Sequence, residues 1–96
     1  MEPIRVKEIK TSDGVYKFNP AITIDSMVDS DNGELYIAEY SDFDMFVYAE
    51  TPEDIINEVK EHISWLLSNI ASADDENLAS SAIRIKNTIL SMGEYI

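Results

Sequence analysis

A capped amphipathic helix, predicted over residues 51 to 71, constrains the fold more than any other stretch of the sequence. Thr51 can accept an N-cap hydrogen bond, Pro52 suits the first helical position, and Glu53 complements the positive end of the helix dipole. Apolar residues then recur at three- and four-residue spacing: Ile55, Ile56, Val59, Ile63, Leu66, Leu67 and Ile70. The other side of this helix is polar, which predicts that it covers a sheet on one side and meets water on the other.

Alternation of apolar and polar residues predicts the strands of that sheet. The strand-like segments are residues 4 to 9, 15 to 18, 21 to 28, 35 to 40 and 45 to 50. Asn32-Gly33 is the strongest hairpin signal, because this pair tolerates the positive φ angles of a type I′ turn. Asn19-Pro20 is expected to interrupt the ladder, since proline has no N–H to donate.

A second helix is predicted over residues 74 to 93. Asp74 is suited to the N-cap, and Gly93 is suited to end the helix. The apolar residues of this segment follow helical spacing: Leu78, Ala82, Ile85, Ile89 and Met92. The stripe is wide for a domain of this size, so the C-terminal helix either packs on its own sheet or contributes a homodimer contact.

The sequence therefore predicts one α+β domain over residues 1 to 96, with an antiparallel sheet of four or five strands followed by two α-helices packed on it. Its expected parts are an N-terminal hairpin (residues 1 to 18), central antiparallel strands (residues 20 to 50), a long helix (residues 51 to 71) and a C-terminal helix (residues 74 to 93).

Negative charge is concentrated in the middle of the chain. The 96 residues carry 19 acidic and 7 basic side chains, for a formal net charge of −12. No Lys or Arg occurs from Phe18 to Val59, a stretch that covers the predicted central strands and the start of the long helix. Such a field repels nucleic acid and attracts a basic protein. We expect a basic protein partner and no direct nucleic-acid binding, and charge that serves solubility alone is the open alternative.

The chain contains no cysteine, which excludes disulfides, thiolate metal ligands and thiol nucleophiles. The first ten residues alternate in charge, which predicts no signal peptide. No stretch approaches the roughly 20 apolar residues of a membrane span. We therefore expect a cytoplasmic protein that has no membrane partner.

The residues that carry chemistry predict no enzyme and no catalytic, cofactor or metal site. Glu39, Asp42 and Asp44 could gather around a divalent metal, but a solvated acidic edge of the sheet is the favoured interpretation. His62 is the only histidine, and Glu58 lies one helical turn before it. This pair is incomplete, because a metal site needs three or more convergent ligands.

The order of strand, Asn-Gly turn, strand, acidic corner, strand and Thr-capped helix resembles the HicB-like antitoxin domain, a small fold described as a partial RNase H fold. That family has an aromatic-rich hairpin, a corner containing Pro-Asp, a short strand, and a helix opened by Thr-x-Glu-Glu or a similar sequence. The matching residues are Tyr36 and Tyr40 in the strand, Asp42 in the corner, and Thr51, Glu53 and Asp54 at the helix opening. The resemblance covers about residues 20 to 70.

The chain also departs from that family. Ser41 stands where the family usually has proline, and Met45 stands where a glycine is common. Two strand-like runs precede the matched region, and a helix follows the long helix where the family often has a strand. The sequence shows no additional module of a DNA-binding type, so the resemblance implies a version that lacks the DNA-binding repressor half of such antitoxins. The partner that it implies is a small, basic, RNA-cleaving toxin.

Two functions from different classes follow, and both require a basic partner. The first is a non-enzymatic, antitoxin-like binding module, and the second is an acidic nucleic-acid mimic that inhibits a nucleic-acid-binding protein. A structural domain of unknown function is the third alternative. The expected partner-binding residues are Tyr36, Glu39, Tyr40, Asp42, Asp44, Glu58 and Trp65.

Overall fold

A computed structural model describes residues 2–31 and 34–96, which form an antiparallel sheet of five strands and two α-helices. The elements are β1 (Ile4–Thr11), β2 (Gly14–Asp29), β3 (Leu35–Tyr40), β4 (Met45–Ala49), α1 (Pro52–Leu66), α2 (Ser80–Ser91) and β5 (Gly93–Tyr95). The strand order is β1-β2-β3-β4, and β5 pairs with β2. The predicted α+β class is confirmed. Four of the described strands precede α1, and the fifth follows α2.

Helix α1 begins as its sequence predicts. The hydroxyl oxygen of Thr51 accepts a hydrogen bond of 3.1 Å from the backbone N–H of Asp54, and Pro52 occupies the first turn. A π-helical segment, Leu67–Ala71, continues the helix to the predicted end of the run. The buried residues of α1 are Ile55, Val59, Ile63 and Leu66. Each such side chain contributes about 1.5–3 kcal/mol through burial, so this stripe holds α1 on the sheet.

The buried side chains of the described residues form one hydrophobic cluster, which defines the inner face of the sheet. Its sheet members include Ile4, Val6, Ile22, Ile24 and Ala38, and its helical members include the α1 stripe and Ile89 of α2. Both helices therefore pack against the same face of the sheet.

Within residues 2–31 and 34–96, no helix has the length and apolar character to cross a bilayer.

The pairing of β2 with β1 is interrupted around Asn19-Pro20, as predicted, but the strand itself continues through this point. One strand runs from Gly14 to Asp29, and its register against β1 shifts between Val6 and Glu8. Pro20 lies in the resulting bulge, where its missing N–H removes no ladder hydrogen bond. The N–H of Asn19 instead donates to the carbonyl of Met92 at 3.0 Å. The predicted Asn32-Gly33 turn lies outside the described residues, but its flanking strands β2 and β3 pair antiparallel as expected.

Helix α2 begins at Ser80, six residues after the predicted N-cap at Asp74. The intervening Asp75–Asn77 segment forms a 3-10 turn, and the backbone of Leu78 is extended. Lys86 of α2 explains this difference. Its Nζ donates to the carbonyl of Ala73 at 2.6 Å and to Oδ1 of Asp75 at 2.8 Å, which ties the segment down as a loop.

Gly93 was expected to end the second helix, but it opens β5 and lies opposite Phe18 of β2. A Cβ atom at this position would overlap the carbonyl oxygen of Lys17 and lie 2.9 Å from Cε2 of Tyr16. The hydroxyl of Tyr16 donates to the carbonyl of Ile89 at 2.7 Å. This close approach fixes the end of α2 against β2.

We predict that Gly93→Ala lowers the free energy of unfolding by about 1–3 kcal/mol, because the added methyl group overpacks the β2–β5 contact. Chemical denaturation followed by circular dichroism measures this change. Glu94→Ala, at the exposed next residue, is the control and should have little effect. Equal stability of the two variants would show that β5 does not pack closely on β2.

Candidate protein-binding surface

Three cross-strand rows form the outer face of the sheet, on the side away from the core. The register places Asp25 beside Glu39 and Phe46, Met27 beside Ile37 and Tyr48, and Asp29 beside Leu35. The neighbouring positions, including Ala38 and Met45, point into the core. Because successive side chains of a strand alternate between faces, these eight residues share one surface. We call it the outer sheet face: Asp25, Met27, Asp29, Leu35, Ile37, Glu39, Phe46 and Tyr48.

The centre of the outer sheet face is apolar and exposed. Met27 is 48% exposed, Phe46 is 55% exposed and Tyr48 is 63% exposed. The rings of Phe46 and Tyr48 have centroids 6.5 Å apart. Leu35 and Ile37, on β3, are half-buried. Clustered aromatic and aliphatic side chains that remain exposed on a sheet are typical of an interaction surface.

The border of this apolar centre is acidic. Asp25, Asp29 and Glu39 lie on the same face, and neither β3 nor β4 contains a Lys or Arg. The surface therefore combines an apolar centre with uniformly negative flanks. Such a surface is complementary to a protein that presents an apolar patch surrounded by basic side chains.

An acidic cleft adjoins the outer sheet face where β4 passes α1. It has a volume of about 490 Å³, and Tyr48 lines it as well as standing on the outer sheet face. We call it the β4–α1 cleft, and its carboxylates belong to Glu50, Asp54, Glu58 and Glu61. Because Tyr48 belongs to both, the outer sheet face and the β4–α1 cleft form one continuous surface.

The structure brings only two of the seven expected partner-binding residues onto this surface. Glu39 lies on the outer sheet face, and Glu58 lines the β4–α1 cleft. Tyr36 and Tyr40 lie on the inner side of β3 and pack against the core. Burial, followed by the charge of Asp42, raises the pKa of Tyr40.

The remaining three expected residues lie elsewhere. Asp42 and Asp44 are in the turn between β3 and β4, where Arg84 of α2 binds Asp44 at 2.6 Å. Trp65 is 54% exposed near the end of α1 and does not line the cleft, although it lies one helical turn after Glu61, which does. Glu39 is on the outer sheet face, so it does not gather with the two turn aspartates. Across the described ranges, no group of three or more His, Asp or Glu side chains is placed to hold a metal ion.

Sequence reasoning missed Met27, Phe46 and Tyr48, although a signal for two of them was present. Strand β4 reads Met45-Phe46-Val47-Tyr48-Ala49, so Phe46 and Tyr48 share a face by period-two alternation. Either the aromatic pair of β3 or that of β4 can face the core, but not both, because the register places them on opposite faces of the sheet. The small residue Ala38 lies between the two tyrosines of β3 on the face that the helix covers. Ala38 is fully buried beneath α1, which places its neighbours Tyr36 and Tyr40 inward and leaves Phe46 and Tyr48 outside.

His62 lies on α1, and burial lowers its pKa below the ordinary value of 6.5. The imidazole is therefore neutral at pH 7. A neutral, half-buried histidine on a helix is consistent with a packing role.

No protein-family model matches this chain, no curated protein matches its sequence, and no solved structure matches its fold. The function of this chain is therefore inferred from the chemistry of the surface and from the sequence resemblance described above.

We predict that NMR titration of His62, the single histidine, gives a pKa below 6.5 in the folded protein. The unfolded chain then takes up this proton first, so the free energy of unfolding falls as the pH drops below 6.5 toward the folded-state pKa. This part of the pH dependence should be absent in His62→Gln, which retains the carboxylates. A folded-state pKa above 6.5 would show that the surrounding negative charge outweighs burial.

Proposed function

We propose that this chain is a small, acidic, non-enzymatic binding protein of the HicB-like antitoxin type, which acts in the cytoplasm. It binds and inhibits a small, basic, RNA-cleaving toxin through the outer sheet face and the β4–α1 cleft. The observation that carries this proposal is the exposed row of Met27, Ile37 and Tyr48, with Phe46 beside it and carboxylates on its flanks.

Each part of this surface has a separate task in binding. Phe46 and Tyr48 supply most of the affinity, because large aromatic side chains near the centre of an interface lose the most water on binding. The carboxylates of the outer sheet face and the cleft speed the encounter with a positively charged protein and select against acidic ones. A basic nuclease matches this charge, since its own RNA-binding surface must attract phosphates.

The spacing of the carboxylates separates this proposal from nucleic-acid mimicry. A mimic needs carboxylates repeated every 6 to 7 Å or so, which is about the distance between every second residue of a strand. On β2 those positions are Asp25, Met27 and Asp29, so an apolar side chain interrupts the acidic run. The outer sheet face thus favours an interface with an apolar centre.

Mimicry has its own supporting observation in the β4–α1 cleft. Asp54 and Glu58 are one helical turn apart on α1, a rise of about 6 Å, and Glu61 follows on the same side. This short acidic row makes mimicry the second candidate function. The two candidates differ in which side chains matter most, so substitutions distinguish them.

The proposal predicts that a tagged copy of this chain, purified from its host, retains a basic protein of under roughly 100 residues at moderate salt and releases it at high salt. Replacing both Phe46 and Tyr48 by Ser should weaken this complex by at least about 30-fold, the size expected for central aromatic residues. Leu90→Ser is the control, because Leu90 is an exposed apolar residue of α2 outside this surface. Mass spectrometry identifies the protein, and calorimetry with the purified pair measures the affinity.

Two results would contradict the antitoxin proposal. Retention of the small basic protein by the Phe46→Ser, Tyr48→Ser variant at full affinity would remove the outer sheet face as the binding surface. Recovery of a large nucleic-acid-binding protein, whose binding depends on Asp54 and Glu58 and not on Phe46 and Tyr48, would favour mimicry. Circular dichroism of each variant ensures that loss of binding is not loss of fold.

A further inference from the structure

Most of the basic side chains of this acidic chain lie on strand β1 or beside it. Strand β1 has eight residues, and within the described ranges it pairs with β2 along one edge only. Three shallow concavities of about 480, 460 and 390 Å³ are lined by residues of β1 and α1, with Lys60 of α1 in all three. Lys17 of β2, the cross-strand partner of Glu8, also lines the first. We call this surface the β1–α1 groove, and its basic residues are Arg5, Lys7, Lys10, Lys17 and Lys60.

These five cations lack the partners that the other two have. Arg84 and Lys86 bind Asp44 and Asp75 at 2.6 and 2.8 Å. For the five groove cations, no carboxylate oxygen of residues 2–31 or 34–96 lies within 4.0 Å. The groove also contains Glu2, Glu8 and Glu61, so its net charge is +2 in a chain of −12. The groove thus keeps a net positive charge, and its cations form no close ion pair with the described carboxylates.

The backbone of β1 gives this surface a second property. The outer edge of a sheet presents N–H and C=O groups that pair with an added strand. Positive side chains along the edge oppose its pairing with the β1 strand of another copy, because like charges would then face each other. The same charges attract a strand that carries carboxylates.

We propose that the β1–α1 groove binds an extended, acidic segment of a partner protein, which adds to the sheet as a strand beside β1. Arg5 and Lys7 are exposed and two residues apart, so their side chains leave the strand on one side, about 6.8 Å from each other. A segment with carboxylates at alternate positions places them opposite both cations. Lys60 of α1 adds a third positive charge from the helix side of the groove.

Two features favour a peptide over a nucleic acid as the occupant. An added peptide strand satisfies the free backbone groups of β1, and a nucleic acid has no matching ladder of amides. A groove of +2 in a chain of −12 leaves −14 on the rest of the molecule, which repels a polyanion that extends beyond the groove. A short segment stays within the local positive field, since screening in physiological salt limits more distant repulsion to about 8 Å.

The test uses the full chain and a capped, fluorescent eight-residue peptide of alternating Glu and Val. Saturable binding by fluorescence anisotropy at low salt is expected, with NMR shift changes confined to β1 and to the Lys60 side of α1. Arg5→Gln combined with Lys7→Gln should weaken binding by roughly 5- to 30-fold, because two exposed ion pairs are lost. Arg84→Gln removes one positive charge outside the groove and should leave the affinity nearly unchanged.

Three control ligands define what would overturn the inference. A peptide with Gln in place of Glu should bind more weakly, and one with N-methyl groups on alternate amides should not bind, because it cannot form the ladder. Equal binding of the N-methylated peptide, or tighter binding of a single-stranded oligonucleotide to the same residues, would exclude strand addition of an acidic peptide. Concentration-dependent dimers that form through β1 in light scattering and NMR would assign the groove to a second copy and also overturn it.

Discussion

Coverage of only one face of the sheet is the constraint on which the rest of this structure depends. The apolar stripe of α1 and Ile89 of α2 enter the same hydrophobic cluster, so both helices stabilise the inner face. Burial of that cluster supplies the main driving force for folding. The outward-facing side chains of β2, β3 and β4 cannot join this core, because alternate residues of a strand point to opposite faces of the sheet. The outer sheet face therefore keeps its apolar residues in contact with water.

Positive and negative side chains are also separated on the surface of the fold. The outer sheet face and the β4–α1 cleft carry carboxylates, and the β1–α1 groove at the opposite edge strand carries five of the seven basic side chains. This separation follows from the sequence order, since the basic strand β1 lies at one edge of the sheet, and β3 and β4, which contain no Lys or Arg, lie toward the other. Two surfaces of opposite charge on one small domain allow it to contact two chemically different segments.

The sequence predicted the elements of the fold better than the site. Helical spacing and the Thr51 cap gave α1 and its stripe, and alternation gave β1, β3 and β4. The β5 strand was missed because three residues are too few for a periodic pattern, and the start of α2 was misplaced because its loop is held by the distant Lys86. The direction in which Tyr36, Tyr40, Phe46 and Tyr48 point depends on which face the helices cover, and that is a tertiary property.

Site-specific photocrosslinking in the host tests the central claim, that the outer sheet face is the partner-binding surface, most directly. A photoreactive phenylalanine analogue is placed at Tyr48, which is 63% exposed at the centre of that surface, and separately at Leu90 of α2, which is 43% exposed. The account predicts one discrete adduct with a small basic protein from position 48 and none from position 90. An adduct with the same protein from position 90 alone would contradict the account, and so would the absence of any adduct from position 48 in cells that contain the partner.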